Sequence, residues 1–519
     1  MPTLGEFQPA APLDHRDPRI QGALVEALAR VRTGLGGHAT GHAGGRELTG
    51  GGVRTSTNPA RHDEVVGTFA DATAADVDAA VAAAWQAFGE WRSVSDQQRT
   101  DLLLRVAEGL RRTQSELAAL VLLETGKTWD EALGEVAESI DFLAYHAHQL
   151  QRLRERETEA VYPHPREQNR YRYVPLGAGV AVPPWPFPIA QFVGMVSAAV
   201  VTGNTVIVKP ASAAPITSRR VFDIWREAGT PDGVVNLLFG AGASVGHALV
   251  THRDTRFVSL TGAAATGTRV GVAASADHPT RRWFTRLILE LGLKNSVLVD
   301  ETADLEAAAA AVVAGAFSFQ GQKCSAGSRL VAVDGIHDRL VELVVARAEA
   351  LTIGDPAEFT TQFGPLIDHD AVMRAQAFIG VGRSEGWLAT GGEHAPIGEA
   401  FIRPTVFTEL PRSSTIARQE VMAPILAVLR CRDVDDGYAI VNDSPGGLTG
   451  SFFSSDEGRL AEAADHLHVG SLYLNRKPTA SEVGFHPFGG FGLAGTDAKA
   501  GGPDYLLQYV QAQTITRAW

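Results

Sequence analysis

Cysteine is scarce in this chain: two in 519 residues, Cys324 and Cys431. Two thiols cannot supply the dense cross-linking that replaces a core in small secreted domains, so a disulfide scaffold is excluded. The opening MPTLGEFQPAAPLDHRDPRI has neither the cationic start nor the apolar centre of a secretory signal, and reduced thiols in the cytoplasm are expected. Cationic excess is also missing, since 46 Lys+Arg stand against 59 Asp+Glu for a formal charge of −13. That balance favours solubility and argues against a nucleic-acid partner, which would require a basic patch. The longest apolar run, VGMVSAAVVTGNTVIVKP, is interrupted by Thr, Gly and Asn and closes on Lys-Pro, so it does not read as a membrane span.

What remains is ordinary globular composition, 45% hydrophobic and 20% charged, in a chain too long for one core. Residues 34–52 are glycine-rich and read as a loop; His38 and His42 within it lack Cys or carboxylate company at ligand spacing, so no metal is expected. From Asp71 to about Leu153 apolar residues recur at spacings of three and four, predicting helices, with Gly126 as a stop. Residues 154–175 are polar and aromatic without a helical period and read as an extended arm. Between 178 and 290 short β-branched runs ending in Gly or Pro alternate with helical stretches, the pattern of a parallel α/β sheet. A second α/β unit begins near Leu291, and the tail DYLLQYVQAQTITRAW predicts a last strand able to pair with the 154–175 arm of a neighbouring subunit.

Several positions carry chemistry. GAGASVG (Gly240, Gly242, Gly246) follows a strand and opens a helix, as either a dinucleotide turn or a plain strand-to-helix turn; LTGAAATG (Gly262, Gly267) repeats it one strand later. Lys209 ends a strand, where it reaches either ribose hydroxyls or, the simpler expectation, solvent. Glu290, between two leucines, is either a surface position, again the simpler expectation, or a buried base of raised pKa. Cys324 lies in the polar turn FQGQKCSAGSR after a helix predicted to start at an N-cap Thr302 and to end near Gly321. Amides turned toward it, with Lys323 and Ser325 alongside, would lower a thiol pKa and support an oxyanion, which marks Cys324 as a nucleophile.

In combination these landmarks resemble the aldehyde dehydrogenase superfamily from about Ser56 to the C-terminus: the Pro184–Pro188 turn, GNTVIVKPA, LTG…G, LELG, GQKCSA, EVMAP and PFGG occur in the family's order. FQGQKCSA, NRKPT and GTDAKAGGPDY are similar to the group that oxidises Δ1-pyrroline-5-carboxylate, in its open form L-glutamate γ-semialdehyde, to glutamate with NAD+ in proline breakdown. The resemblance implies an α/β subunit with a Rossmann-type cofactor domain (1–153 and 176–289), an α/β catalytic domain (290–474) and a β oligomerisation arm (154–175 with 505–519). It also implies Cys324 as nucleophile and Glu290 as the base for water. Lys209, Ser212, Gly242, Gly246, Gly262, Glu420 and Met422 would hold the cofactor, with Ser212 leaving room for NADP+. Phe187 and Phe488 would flank the substrate's aliphatic stem, while Ser325, Ala480 and Ser481 would anchor its carboxylate. A homodimer or higher homo-oligomer, and proline dehydrogenase as a partner, follow from the same resemblance.

The chain departs from the family where the reaction would occur. Pro186 replaces an Asn that donates to the oxyanion, Leu293 a glycine, Ala263 a serine, Met422 a phenylalanine, and Thr479-Ala480-Ser481 stands for TGA. Losing one oxyanion donor costs about 10²–10³ in rate. Three other readings are therefore open at this point: a binding or structural homologue that keeps the fold but oxidises aldehydes poorly, a dehydrogenase for a different aldehyde, and a hydrolase that cleaves thioesters or esters through Cys324 without cofactor.

Overall fold

The computed structural model describes residues 6–159, 162–276 and 280–519. Two seven-stranded sheets dominate it. In the first, strands Arg286–Gly292, Phe257–Ala263, Ala178–Val182, Thr205–Val208 and Val235–Leu237 lie side by side in parallel, and Gly41–Ala43 and Arg46–Leu48 extend the edge in antiparallel pairing. Each of the middle strands is apolar on both faces because helices cover both, which is why the sequence shows continuous β-branched runs rather than alternation. The chain order reverses between Ala178–Val182 and Phe257–Ala263. A crevice opens outside the carboxyl ends of strands at such a reversal.

The second sheet runs Trp387–Thr390, Thr405–Thr408, Ile425–Cys431, Arg329–Val333, Ser296–Val299, Thr449–Phe453, Ser471–Leu474, parallel except for the first pair. Only residues 293–295 separate the last strand of the first sheet from the first strand of the second. Glu290 therefore belongs to the first sheet, paired with Thr261 across the ladder, and the expected domain break at 289/290 moves past Gly292. The loop 494–496 clamps this edge strand, with Thr496 N donating to Leu289 O at 3.0 Å and Leu291 N to Ala494 O at 2.8 Å.

Other expectations are revised. Residues 34–52 are not one loop: Gly37–Ala39, Gly41–Ala43 and Arg46–Leu48 are strands, each joined to a sheet by backbone pairing that glycine-rich composition conceals. His42 is buried against Phe222 and His38 pairs with Thr68 Oγ1 at 2.9 Å. The helical region continues to Glu159, so the arm is extended only over Glu167–Pro175. That strand pairs with Val510–Ala518 of the same chain, a local solution to backbone hydrogen bonding in place of the expected intersubunit pairing. Tyr505–Tyr509 forms a buried 3-10 turn, fixed by Asn204 Nδ2 donating to Tyr509 O at 2.8 Å. The helix before Cys324 is capped by Asp304, whose carboxylate accepts from Glu306 N and Ala307 N, because Thr302 Oγ1 is already committed to Asp300. Where the sequence signals were strong they hold: Gly126 ends helix Gln114–Thr125 in the left-handed region at φ 75°.

Helix Trp129–Glu159 packs against helices Asp96–Arg112, Gln114–Thr125 and Ala190–Val201. Its Glu135 binds Lys127 Nζ at 2.6 Å, with both side chains inside the protein, and accepts from Ile189 N at 2.8 Å at the start of helix Ala190–Val201. Replacing Lys127 with Met strands the Glu135 charge in the core. Lys127→Met is expected to lose about 3–5 kcal/mol of stability, measured as a lowered urea midpoint with unchanged m-value.

Candidate active site

Cys324 is delivered by a strained approach. Phe319 and Gln320 have φ of 49° and 57°, the left-handed region that side chains avoid, and Gly321 follows at 68°. A Cβ on Gly321 would come within 2.5 Å of Ala423 O, so only glycine completes this turn. The loop is then held from several sides. Asn295 Nδ2 donates to Cys324 O at 2.7 Å while its Oδ1 accepts from Thr449 N at 3.0 Å; Gln322 Oε1 accepts from Ile367 N at 3.0 Å; Lys323 Nζ meets Glu131 at 2.7 Å. Strain of this kind persists only when the surroundings over-determine it.

The thiol lies where the carboxyl edge of the first sheet faces the amino edge of the second. Cys324 Sγ points its proton at Glu290 Oε1, 4.0 Å away. Glu290 is buried, contrary to the surface expectation; burial, reinforced by the charge of Glu138 and opposed by Lys499, raises its pKa to about 8. The thiol's own pKa is raised well above the ordinary value, by burial first and then by Glu290 and Glu420, and this overturns the expected lowering. The amides of Cys324 and Ser325 do turn toward the sulfur and oppose the rise, but dehydration and two carboxylates outweigh them.

Beyond the sulfur lies a cavity of about 830 Å³. Phe187, Phe488, Ser325, Ala480 and Ser481 all border it, so the five residues proposed from sequence for substrate contact share one wall system. Ala480 is held at φ 62° with its carbonyl bound by Arg476, and Ser481 Oγ bonds Tyr473 OH. Phe187 is fixed from behind by Lys127 Nζ, 4.2 Å from its ring centre.

On the opposite side, at the reversal crevice, Lys209 is buried and donates to Gly240 O at 3.0 Å, not to solvent as the simpler expectation had it; burial, with Arg54 adding to it, lowers its pKa to about 8. Ser212 Oγ reaches the same carbonyl at 3.3 Å and accepts from Arg54 at 3.2 Å. Gly242 and Gly246 bound a single π-helical turn, and Gly262 sits near the end of strand Phe257–Ala263. The following helix, Ala264–Ser275, has no side-chain cap, which leaves its first amides free for an anion. Glu420, raised to about 7 by burial, packs on Gly292 so closely that a Cβ there would lie 2.2 Å from its Oε1. Met422 beside it has φ 55°. A buried lysine, open glycine turns and an uncapped helix start fit a dinucleotide, with ribose hydroxyls near Lys209 and Glu420.

Sequence reading missed Lys127, Glu131, Glu138, Gln191 and Asn295. A signal for two of them existed: Glu131, Glu135 and Glu138 recur at spacings of four and three along one helix face otherwise rich in apolar residues. Nothing in the sequence marks Asn295, whose partners Cys324 and Thr449 are remote along the chain, or Lys127, whose ring contacts Phe187 and Phe319 are equally remote although Glu135 is near.

The arrangement is that of a thiol-dependent enzyme acting on a carbonyl, with a nucleotide crevice on one side of the sulfur and a polar cavity on the other. The chain belongs to the aldehyde dehydrogenase family, whose model matches residues 50–515. A 1-pyrroline-5-carboxylate dehydrogenase of Anoxybacillus flavithermus is 42% identical over 494 residues, 95% of this chain and 96% of its own. The structure of the 1-pyrroline-5-carboxylate dehydrogenase from Thermus with bound NAD superposes at a TM-score of 0.97 with 42% identity over the whole of both chains. Proline utilization A from Bdellovibrio bacteriovorus matches at a TM-score of 0.95 and 34% identity, covering all of this chain and 54% of its own. Among the described residues no helix is long and apolar enough to cross a membrane.

Glu290→Gln removes the carboxylate that holds the thiol's pKa up. The pH profile of Cys324 alkylation by iodoacetamide is expected to move to lower pH in this variant; a profile unmoved or moved upward contradicts the electrostatic account.

Proposed function

We propose that this aldehyde dehydrogenase oxidises L-glutamate γ-semialdehyde, the open form of Δ1-pyrroline-5-carboxylate, to L-glutamate with NAD+, in the cytoplasm and as a step of proline catabolism. The observation that carries the reading is the thiol of Cys324 directed at Glu290, 4.0 Å away, beside a cavity of about 830 Å³ able to take a short zwitterion. The relatives at 42% identity over nearly the full chain support the substrate class.

The thiol of Cys324 attacks the aldehyde carbon, forming the C–S bond and passing its proton to Glu290. NAD+, held by the cofactor residues named below, would supply the hydride acceptor needed to bring this adduct to the oxidation level of a thioester. Glu290, once it has lost its proton, takes one from a water molecule that attacks the thioester and frees glutamate and the thiol. Phe187 and Phe488 confine the aliphatic stem; Ser325 with the amides of Ala480 and Ser481 holds the carboxylate; remote binding of this kind positions the aldehyde. Lys209, Ser212, Gly242, Gly246, Gly262, Glu420 and Met422 hold the dinucleotide. Arg54, 3.2 Å from Ser212 Oγ, is a cation beside the ribose position and supports tolerance of NADP+. Among the described residues, those of 6–153 and 176–292 form the cofactor domain and 293–474 the catalytic domain. The paired strands 167–175 and 510–518, exposed over most of the second, form an arm for a homodimer or higher homo-oligomer. Proline dehydrogenase, the source of the substrate, is the proposed partner.

Purified protein supplied with glutamate γ-semialdehyde and NAD+ is expected to form NADH, and Cys324→Ala to form none. The acid limb of kcat is expected near pH 8, because Glu290 is raised to about 8 and is a base only when ionised. Glu138→Gln removes a charge that raises it, so that limb moves to lower pH; an upward shift refutes the assignment of the base.

A further inference from the structure

Pro186 has no donor to offer the oxygen of the aldehyde, and the structure holds a side-chain carboxamide on the wall of the cavity that Cys324 borders. Gln191 lies in the first turn of helix Ala190–Val201, its amide N–H donating to Phe187 O at 3.2 Å. Its side chain borders the same cavity as Cys324. The oxygen end of the carboxamide is fixed: Thr261 Oγ1 donates to Gln191 Oε1 at 3.2 Å. Thr261 is in turn the ladder partner of Glu290, so this pair is anchored one strand away from the carboxylate that meets the sulfur. Among the described residues Gln191 Nε2 has no hydrogen-bond partner. A neutral carboxamide with its oxygen tied down and its N–H groups unspent, on the wall of the cavity that holds the nucleophile, is a preorganised donor, since its orientation is settled before charge develops.

We propose that Gln191 is a catalytic residue whose Nε2 donates to the carbonyl oxygen as Cys324 attacks, taking the place of the donor that Pro186 cannot supply. The balance is simple: Sγ bonds to carbon, the carbonyl π pair moves onto oxygen, the thiol proton passes to Glu290, and the Gln191 proton stays on nitrogen as a hydrogen bond. The amides of Cys324 and Ser325, already turned toward the sulfur, are the backbone half of the same cradle. This inference rests on the aldehyde-oxidising reading above, but any acyl or carbonyl chemistry at Cys324 passes through the same oxyanion.

The test is Gln191→Met, which keeps the length and volume and removes the donor. It is assayed in two reactions, NADH formation from glutamate γ-semialdehyde and cofactor-free hydrolysis of 4-nitrophenyl acetate, with Cys324→Ala as blank. Iodoacetamide alkylation of Cys324, which forms no oxyanion, reports whether the thiol is still in place. The expected result is a fall of about 10²-fold in kcat with alkylation unchanged, and recovery of at least about tenfold of that loss when Pro186→Asn is added. A fall smaller than about threefold, a fall matched by equally slow alkylation, or no recovery with Asn at 186 overturns the proposal, whose scale is that of a single donor. If the parent hydrolyses the ester but forms no NADH, the substrate reading fails while the effect of Gln191→Met on hydrolysis still decides this one. A parent inactive in both reactions overturns it as well.

Discussion

A buried lysine ties the site together. Lys127 has no exposed surface, and taking an ammonium out of water costs several kcal/mol unless it is well paired. Three neighbours offset that cost: Glu135 at 2.6 Å and the rings of Phe187 and Phe319 with centres 4.2 and 5.0 Å away. Each neighbour belongs to a different part of the machinery. Glu135 receives the first amides of helix Ala190–Val201, Phe187 is a wall of the cavity, and Phe319 opens the left-handed approach to Cys324. The cation therefore sets the distance between the proline turn and the cysteine loop. A shift of either segment gives up a ring face over the ammonium, while Glu135 remains its ion-pair partner.

The same helix arranges the acidic side of the site. Glu131 is pulled down in pKa, since Lys323 and Lys127 outweigh its desolvation, while Glu138, half-buried, is raised to about 8 by desolvation and then by the charge of Glu135. Glu138 in turn raises Glu290. This matters for proton transfer. A resting thiol far above its normal pKa cannot hand its proton to an ordinary carboxylate without a large uphill step, whereas a carboxylate near 8 is a much better acceptor. After the transfer Glu290 is neutral, so the new thiolate does not face the charge that had raised it. Once the thiol has become a thioester, Glu290 needs only to lose that proton to serve as base toward water. One group with a raised pKa thus suits both halves of the cycle.

The elements that sequence made legible are those with local causes. Continuous β-branched runs placed the parallel strands; Gly126 stopped its helix; the polar turn around Cys324 stood out from the apolar helix before it. Lys209 and Glu290 stand out in the sequence, yet their local context favours solvent for both, because their burial comes from segments remote in sequence: the Gly240 turn for the first, the 494–496 clamp for the second. The direction of the Cys324 shift was misjudged for a related reason. Amides next to the cysteine are visible in sequence, but the carboxylates of Glu290 and Glu420 that outweigh them arrive through the fold. The pairing of Glu167–Pro175 with Val510–Ala518 joins segments more than 300 residues apart in number, and no local pattern distinguishes that from pairing between subunits.

Pro186 is best understood with the prolines around it. Pro183, Pro184, Pro186 and Pro188 occupy four of the seven positions between a central strand and a buried helix. Each fixes its own φ and restricts the residue before it, so the turn loses little entropy on folding and holds Phe187 and the helix start rigidly. The same substitution removes hydrogen-bond capacity, since proline brings neither a side-chain donor nor a backbone N–H. Rigidity and donor capacity are thus separated along the chain here: the turn supplies the frame, and polar contact with a developing oxyanion must come from residues the frame positions. Asn295 holds the carbonyl of Cys324, which shares its peptide unit with the Ser325 amide, and Thr261 holds the Gln191 carboxamide. Both anchors sit at the seam where the two sheets meet, so the alignment of donors depends on how the sheets are joined more than on the turn itself.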